Sequence, residues 1–177
     1  MLGPNADSTT QPNYGANFWE DWERPVHVEF FEKDKTRKID QDADFRIFGN
    51  WSRSNPQKSF ALKAKAKYGI SSFDYKFFPE KHTTNYDQIV LRNAGNDYNY
   101  LHFRDGFIQK SVSKLTNIDI QDYRPSIVFI NGVYWGILNT REKLNGQYIE
   151  DNHNISKNKV DMADTWGQAI EGSNNLY

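Results

Sequence analysis

Residues 46–63 read Arg46-Ile-Phe-Gly-Asn-Trp-Ser-Arg-Ser-Asn-Pro-Gln-Lys-Ser-Phe-Ala-Leu-Lys63. The stretch predicts a strand, a turn rich in Gly, Asn and Ser, and a second strand that carries lysines. Backbone N–H groups in a glycine turn can cradle phosphate oxygens, and a nearby lysine adds a positive charge. The pattern therefore predicts a layout able to hold a polyphosphate.

Composition bounds the class of protein. The chain has 177 residues, so one domain is expected, and its net charge of −1 gives no global attraction to nucleic acid or to an anionic membrane. It contains no cysteine, which excludes disulfides, thiolate catalysis and zinc–thiolate sites. No run of 18 apolar residues occurs, so we expect no transmembrane helix.

Hydrophobic periodicity predicts an α+β fold with a mostly antiparallel sheet and one long packed helix. The Asn131-Gly132 pair between two apolar runs is a strong hairpin signal. We expect a charged turn over residues 32–42 and an aromatic cluster over residues 73–78. The predicted strands cover residues 26–30, 44–48, 59–67, 88–92, 126–130 and 133–138, and the predicted helices cover residues 98–115, 142–151 and 162–170.

Three further segments follow the opening stretch in order. They are Val90-Leu-Arg-Asn-Ala-Gly-Asn-Asp97, Phe103-Arg-Asp-Gly-Phe107 and Asn131-Gly-Val-Tyr-Trp-Gly-Ile-Leu-Asn-Thr-Arg-Glu-Lys143. Together with residues 46–63, they resemble the spore coat protein H (CotH) kinase family, an atypical protein-kinase-like group. The resemblance covers most of residues 18–177. It implies the small lobe of a kinase-like fold, with ATP and Mg²⁺ bound in the intact protein.

The same resemblance divides the chain into three parts. We expect a flexible polar leader over residues 1–17, a kinase-like amino-terminal lobe over 18–151 and a polar tail over 152–177. The family's metal-binding and catalytic acids would come from a carboxy-terminal lobe beyond the tail, so the chain is expected to be a fragment. No catalytic residue and no metal ligand is assigned within it, and the four histidines show no metal-ligand spacing.

Two lysines are candidates for the phosphate contact. If Phe60 and Leu62 face the core, strand alternation points Lys58 the same way and Lys63 the other way. A nucleotide lysine must reach the cleft beneath the sheet, so Lys58 is preferred to Lys63. The alternative is that Lys63 belongs to a solvated stripe with Lys65 and Lys67.

The turn offers further candidates for binding phosphate. Gly49, Asn50 and Ser52 would form the cradle, although an ordinary hairpin turn favours the same residues. Arg46 and Arg53 flank the turn and could each pair with a phosphate through two hydrogen bonds. Their alternative is ion pairing at the surface.

Asp105, Arg141 and Glu142 complete the candidate set. In a kinase-like lobe an acid on the helix orients the phosphate lysine through an ion pair, and Asp105 is placed for that role. The alternative is a pair with Arg104 or Arg92 that only stabilises the fold. By resemblance to the family, Arg141 and Glu142 would line the nucleotide pocket; otherwise they form a charge pair at a helix start.

The intact protein would then transfer phosphate from ATP to a hydroxyl of a coat or surface protein. The resemblance places such a protein outside the cell, on its surface or in a spore coat. One alternative is a non-catalytic interaction module, and a weaker one is a carbohydrate-binding module built on the five tryptophans. Their positions in strands and motifs favour burial instead. A lobe separated from its partner would also expose an apolar patch and self-associate.

Overall fold

The computed structural model describes residues 2–164 and 166–173. The strands are β1 (Arg24–Phe31), β2 (Arg37–Phe48), β3 (Ser59–Lys63), β4 (Phe73–Asp74), β5 (Asn85–Tyr86), β6 (Gln88–Arg92), β7 (Tyr123–Ile130), β8 (Val133–Glu142), β9 (Met162–Ala163) and β10 (Ala169–Glu171). The α-helices are α1 (Arg104–Ser113) and α2 (Gly146–His153). Short 3₁₀ turns cover Asn17–Trp19, Trp51–Ser54, Ala66–Tyr68, Gly95–Asp97 and Lys157–Lys159.

One antiparallel sheet of six strands, in the order β1-β2-β3-β6-β8-β7, forms the body of the fold. Its two faces differ in chemistry. The inner face packs on an aromatic core that includes Phe73, Phe77 and Phe78, supplied by the segment between β3 and β6. The outer face carries the polar and charged side chains from which the candidate site is built. The α+β class with an antiparallel sheet is therefore confirmed.

The sheet curls until its two edge strands approach each other around the core. Arg124 of β7 forms an ion pair with Glu32, which directly follows β1, and Tyr75 donates a hydrogen bond to the same carboxylate. The Arg124 guanidinium also lies 5.3 Å from the centroid of the Phe30 ring on β1. This contact joins residues 92 positions apart and closes the curl.

The Glu32 contact predicts sensitivity to acid. The hydrogen bond from Arg124, helped by Tyr75, lowers the pKa of Glu32 to about 2. A lowered pKa in the folded state gives stability that is present above the ordinary value of 4.5 and is lost as the pH falls toward 2. We expect the free energy of unfolding to fall by about 2–3 kcal/mol across that window.

Urea denaturation between pH 7 and pH 2.5 checks this expectation. Glu32→Gln should be less stable at pH 7 and should show a flatter acid limb than the unsubstituted protein. Glu20→Gln, at an exposed position without an ion pair, should behave like the unsubstituted protein. Equal acid limbs in all three proteins would contradict the assignment.

The hairpin prediction is confirmed, because β7 ends at Ile130 and β8 begins at Val133. Both turn residues adopt positive φ, at 50° for Asn131 and 78° for Gly132, as a tight two-residue turn requires. The predicted charged turn at 32–42 is shorter, since β2 already begins at Arg37.

The long packed helix is not found. Helix α1 has ten residues, of which Gly106 is the buried one, and the apolar residues Leu101, Ile108 and Leu115 are more than half exposed. His102 has φ of 62°, which interrupts the predicted helix before Arg104. The second helix begins at Gly146 rather than 142, because β8 continues to Glu142 and Asn145 caps the helix start.

One further expectation, at the carboxy-terminal end, differs from the structure. The predicted helix over 162–170 is replaced by the β9–β10 pair, although residue 165, like residues 174–177 of the predicted tail, lies outside the described part of the chain. In the predicted flexible leader, Asn13 and Ala16 are buried, and Trp19 Nε1 donates to the carbonyls of Pro12 and Asn13. The division of the chain at residue 17 stays a prediction. Across residues 2–164 and 166–173, no helix is long and apolar enough to span a membrane.

Candidate functional site

The glycine turn of the opening stretch is stabilised from within. Gly49 has φ of 116°, and a Cβ there would lie 2.4 Å from Ser52 Oγ, so the position requires glycine. The Asn50 carbonyl accepts from Arg53 N at 2.9 Å and opens the 3₁₀ turn. Asn93 Nδ2, from the loop after β6, donates to the carbonyl of Ser52. The turn is thus held in one conformation by its neighbours.

Arg53 connects this turn to the amino-terminal segment through hydrogen bonds and an ion pair. Its Nε donates to the carbonyl of Gly49 at 2.8 Å, and its two terminal nitrogens bind the Trp19 carbonyl at 2.9 Å and Asp21 at 2.6 Å. All three guanidinium nitrogens therefore have protein partners. The position matches the expected alternative of ion pairing more closely than a phosphate contact.

Lys58, the preferred lysine, also turns toward the amino-terminal segment. Its Nζ donates to the Asn55 carbonyl at 2.7 Å and lies 3.9 Å from the centroid of the Phe18 ring. Burial lowers the pKa of Lys58. The structure therefore does not bring Lys58 together with Arg46 and Lys63.

Arg46 and Lys63 meet at a pocket of about 70 Å³ on the outer face of the sheet. The strand register places them there, because Arg46 pairs with Ala61 and Lys63 pairs with Gln88. Ala61 contributes only a methyl group, which leaves room between the long side chains. Glu23 and Asp44 complete the lining.

The two cations of the pocket form no ion pair with the acids that the structure describes. Among the described residues, neither Arg46 nor Lys63 has a carboxylate within 4 Å, although 23 acidic residues occur in the chain. Gln88 is buried, and its side-chain amide has no hydrogen-bond partner among the residues that the structure describes. Unpaired cations beside a free amide make the pocket suited to an anion.

Lys143 adds a third positive charge nearby. It follows Arg141 by two positions in the chain, and its Nζ lies 5.3 Å from the centroid of the Phe48 ring. Burial lowers the pKa of Lys143, and the charge of Arg46 lowers it further. Lys143 is the last residue of a motif that resembles the family, but the sequence analysis did not select it as a candidate. Its spacing of two residues from the candidate Arg141 was the signal that could have identified it.

The acids at the pocket are already neutralised. Asp44, which is 2% exposed, forms ion pairs with Lys65 at 2.9 Å and Lys67 at 2.7 Å. The hydrogen bond from Lys67 outweighs burial and lowers the pKa of Asp44. Glu23 pairs with Lys65 as well. Lys65 and Lys67 are therefore partners of Asp44 rather than a free solvated stripe.

Asp105 lies on α1 between two arginines of the sheet. Its Oδ2 is 3.0 Å from Arg92 Nε and 2.9 Å from a terminal nitrogen of Arg141, and Gln109 donates to its Oδ1 at 2.6 Å. Burial opposes ionisation, but these contacts outweigh it and lower the pKa of Asp105. The expected pairing of Asp105 with a lysine is replaced by this arginine clamp.

Arg141 and Glu142 are both buried but face opposite sides of the sheet. Arg141 is 1% exposed, and its Nε has no hydrogen-bond partner among the described residues. Glu142 lies beside Ile89 on the inner side, where its Oε2 accepts from Asp122 N at 2.9 Å and pairs with Lys81. Burial raises the pKa of Glu142. Neither residue lines the pocket of Arg46 and Lys63.

The sheet also gathers charged groups that sequence spacing did not indicate. His27, Glu29 and Asp40 bring potential metal-ligand atoms within 4.8 Å of one another on the exposed strands β1 and β2. Arg37 already pairs with Glu29 and Asp40, and both ring nitrogens of His27 bind carboxylates, of Asp40 and Asp42. The side chains of this cluster therefore already have partners within the protein.

Three of the five tryptophans do not follow the expected burial. Trp22, Trp51 and Trp166 are each at least 45% exposed. Trp51 meets the Tyr14 ring edge-on at an interplanar angle of 73°. Such an arrangement is not the flat, coplanar surface on which a sugar would stack.

Comparison with known proteins gives the family. The family described as CotH kinase protein matches residues 45–174, well over half of the chain. The chain therefore belongs to the CotH kinase family, which confirms the resemblance found in the sequence. No curated protein matches the chain.

Proposed function

We propose that this chain is the nucleotide-binding, small-lobe-like part of a CotH kinase, and that the polyphosphate binds at the pocket of Arg46 and Lys63. The observation that carries the proposal is a pair of cations on one sheet face beside the Gln88 amide, none of which has an ion pair or hydrogen bond from its side chain within residues 2–164 and 166–173. Hydrogen bonds from charged donors to phosphate are among the strongest that proteins make. Lys143, which directly follows β8, adds positive charge close enough for Arg46 to lower its pKa.

The residues fit a phosphate chain but not its metal. Asp44 and Glu23, the two carboxylates at the pocket, are already paired with lysines. Neither of these two described carboxylates is therefore free to hold Mg²⁺. In this proposal the chain binds and orients the polyphosphate, while the magnesium ligands and the acid that orients the acceptor hydroxyl come from elsewhere in the intact kinase. The acceptor is a hydroxyl of a coat or surface protein.

Affinity for Mg·ATP, measured by calorimetry, tests the site. A charged hydrogen bond contributes about 1.5–3 kcal/mol, so Lys63→Ala and Arg46→Ala should each weaken binding by about 10- to 100-fold. Lys38→Ala removes the same charge at an exposed position on the same strand as Arg46 and should leave affinity unchanged. Binding should also weaken as the salt concentration rises.

Lys58→Ala distinguishes the two lysines. Because Lys58 is bound to the Asn55 carbonyl and the Phe18 ring, its loss should leave affinity within about twofold. If Lys58→Ala abolished binding and Lys63→Ala did not, the site would lie at the glycine turn. If the unsubstituted protein bound neither Mg·ATP nor inorganic triphosphate, the interaction module would be the better description.

A further inference from the structure

The segment that leads into β1 lies beside the cations of the candidate site. Residues 20–23 belong to no helix or strand, and they connect the 3₁₀ turn that ends at Trp19 to the start of β1 at Arg24. We call these four residues the strap. Two of its acids, Asp21 and Glu23, form ion pairs with basic side chains of the neighbouring turn and sheet. The strap therefore brings negative charge to the place where a polyphosphate would bind.

Asp21 binds the cation of the glycine turn. Its Oδ1 lies 2.6 Å from one terminal nitrogen of Arg53, and the other terminal nitrogen donates to the Trp19 carbonyl at 2.9 Å. The hydrogen bond from Arg53 lowers the pKa of Asp21, and the positive charge of Arg46 lowers it further. Asp21 is therefore a carboxylate that already interacts with one cation of the pocket.

Glu23 forms one wall of the pocket itself. It lines the pocket together with Arg46 and Lys63, while its carboxylate pairs with Lys65. The volume of about 70 Å³ is well below the roughly 300–1,000 Å³ of sites that enclose a whole ligand. With the strap in this position, the pocket can admit only part of a polyphosphate.

The strap itself is held by few contacts. The side chain of Asp21 is 70% exposed, and Trp22 is 45% exposed. Ion pairs that involve exposed groups contribute little to stability. The chain on either side is held more firmly, because Phe18 is buried beside the Lys58 ammonium and β1 pairs along its length with β2. The strap can therefore move between two fixed ends at a small cost.

We propose, on the basis of the function proposed for the pocket, that the strap is an autoinhibitory element which a polyphosphate must displace in order to bind. Displacement frees Arg53 to join Arg46 and Lys63, so that one anion site extends from the pocket to the glycine turn. While the strap is in place, Asp21 occupies Arg53 and Glu23 narrows the pocket. Both carboxylates also repel the incoming phosphates, which lowers their affinity.

Calorimetry with inorganic triphosphate tests the strap. Asp21→Asn keeps the shape of the side chain but removes its charge. Affinity should rise by about 3- to 10-fold, the size of a Coulomb interaction between charges several ångströms apart near a protein surface. Asp21→Glu keeps the charge and should bind within about twofold of the unsubstituted protein. Glu20→Gln is the matched control, because Glu20 is exposed and forms no ion pair among the described residues; its affinity should also stay within about twofold.

Fluorescence reports whether the strap moves. Trp22 lies between Asp21 and Glu23, and the Arg24 guanidinium lies 4.9 Å from the centroid of the Trp22 ring. Displacement changes the surroundings of this ring, so triphosphate should alter the emission of the protein. The change should be largely lost in Trp22→Phe and kept in Trp166→Phe, because Trp166 is 85% exposed and lies outside the strap.

The outcomes separate the strap from the pocket. If Asp21→Asn bound triphosphate no better than Glu20→Gln, or if the emission change survived in Trp22→Phe, the strap would be wrong and the pocket would stand. Lys63→Ala should weaken binding in the Asp21→Asn background as well. If Lys63→Ala had no effect there, or if none of these proteins bound triphosphate, the pocket would be wrong and the strap with it.

Discussion

We expect Asp105→Asn to lower the free energy of unfolding by about 3 kcal/mol. The reason is Arg141, whose guanidinium is buried and relies on Asp105 as its acid partner. Removing one member of a buried ion pair leaves an uncompensated charge, which costs more than the pair contributes. The partial exposure of Asp105 places the effect at the lower end of the usual range.

Urea denaturation at pH 7 measures this effect. Asp74→Asn provides the matched control, since Asp74 is exposed and forms no ion pair, and it should cost less than about 0.5 kcal/mol. Adding Arg141→Met to Asp105→Asn should restore much of the lost stability, because the buried charge is then removed. Equal losses in the single and double variants would show that the clamp is not the cause.

We expect Phe77→Ala to cost about 3–5 kcal/mol, the largest loss from any single truncation discussed for this protein. Phe77 is fully buried, and its ring lies 5.2 Å from those of Phe30 and Tyr75 and 5.7 Å from that of Tyr86. Truncation would leave a cavity in the core. The curled sheet surrounds this core, so it cannot collapse far enough to fill the cavity.

Thermal denaturation of Phe77→Ala should show a midpoint lower by roughly 10 °C. Urea denaturation should show a midpoint at a lower urea concentration. Phe107→Ala is the control, because Phe107 lies on α1 and is more than half exposed; its loss should cost less than about 1 kcal/mol. If both variants lost the same stability, the segment between β3 and β6 would not be the core of the sheet.

Local signals in the sequence predicted the hairpin and most of the strands. The turn at Asn131-Gly132 depends only on the local preference of these two residues for positive φ. Its exact position could therefore be predicted from the sequence. Charged segments were harder to place. Residues 37–42 form a strand despite their charges because they lie on a half-exposed edge ribbon, where Asp40 and Asp42 pair with His27.

The choice of lysine could not be made from alternation. All four residues from Ser59 to Leu62 are buried, so β3 is covered on both faces and burial does not mark its inner side. The cations that meet at the pocket come from β2 and β3 and, nearby, from the end of β8, and their register depends on long-range pairing. The arginine clamp on Asp105 likewise required knowledge of where α1 lies on the sheet.

The contact between Glu32 and Arg124 bears on how the protein is made. A ribosome delivers β1 first, but the strand that meets it across the curl emerges more than ninety residues later. The aromatic segment between β3 and β6 can pack on the strands already made. The side of this segment that faces away from those strands remains exposed to solvent and to chaperones until β7 and β8 have been synthesised. Contacts so distant in sequence slow folding. We therefore expect nascent chains ending near residue 115 to be protease-sensitive, and chains extended past residue 145 to become resistant.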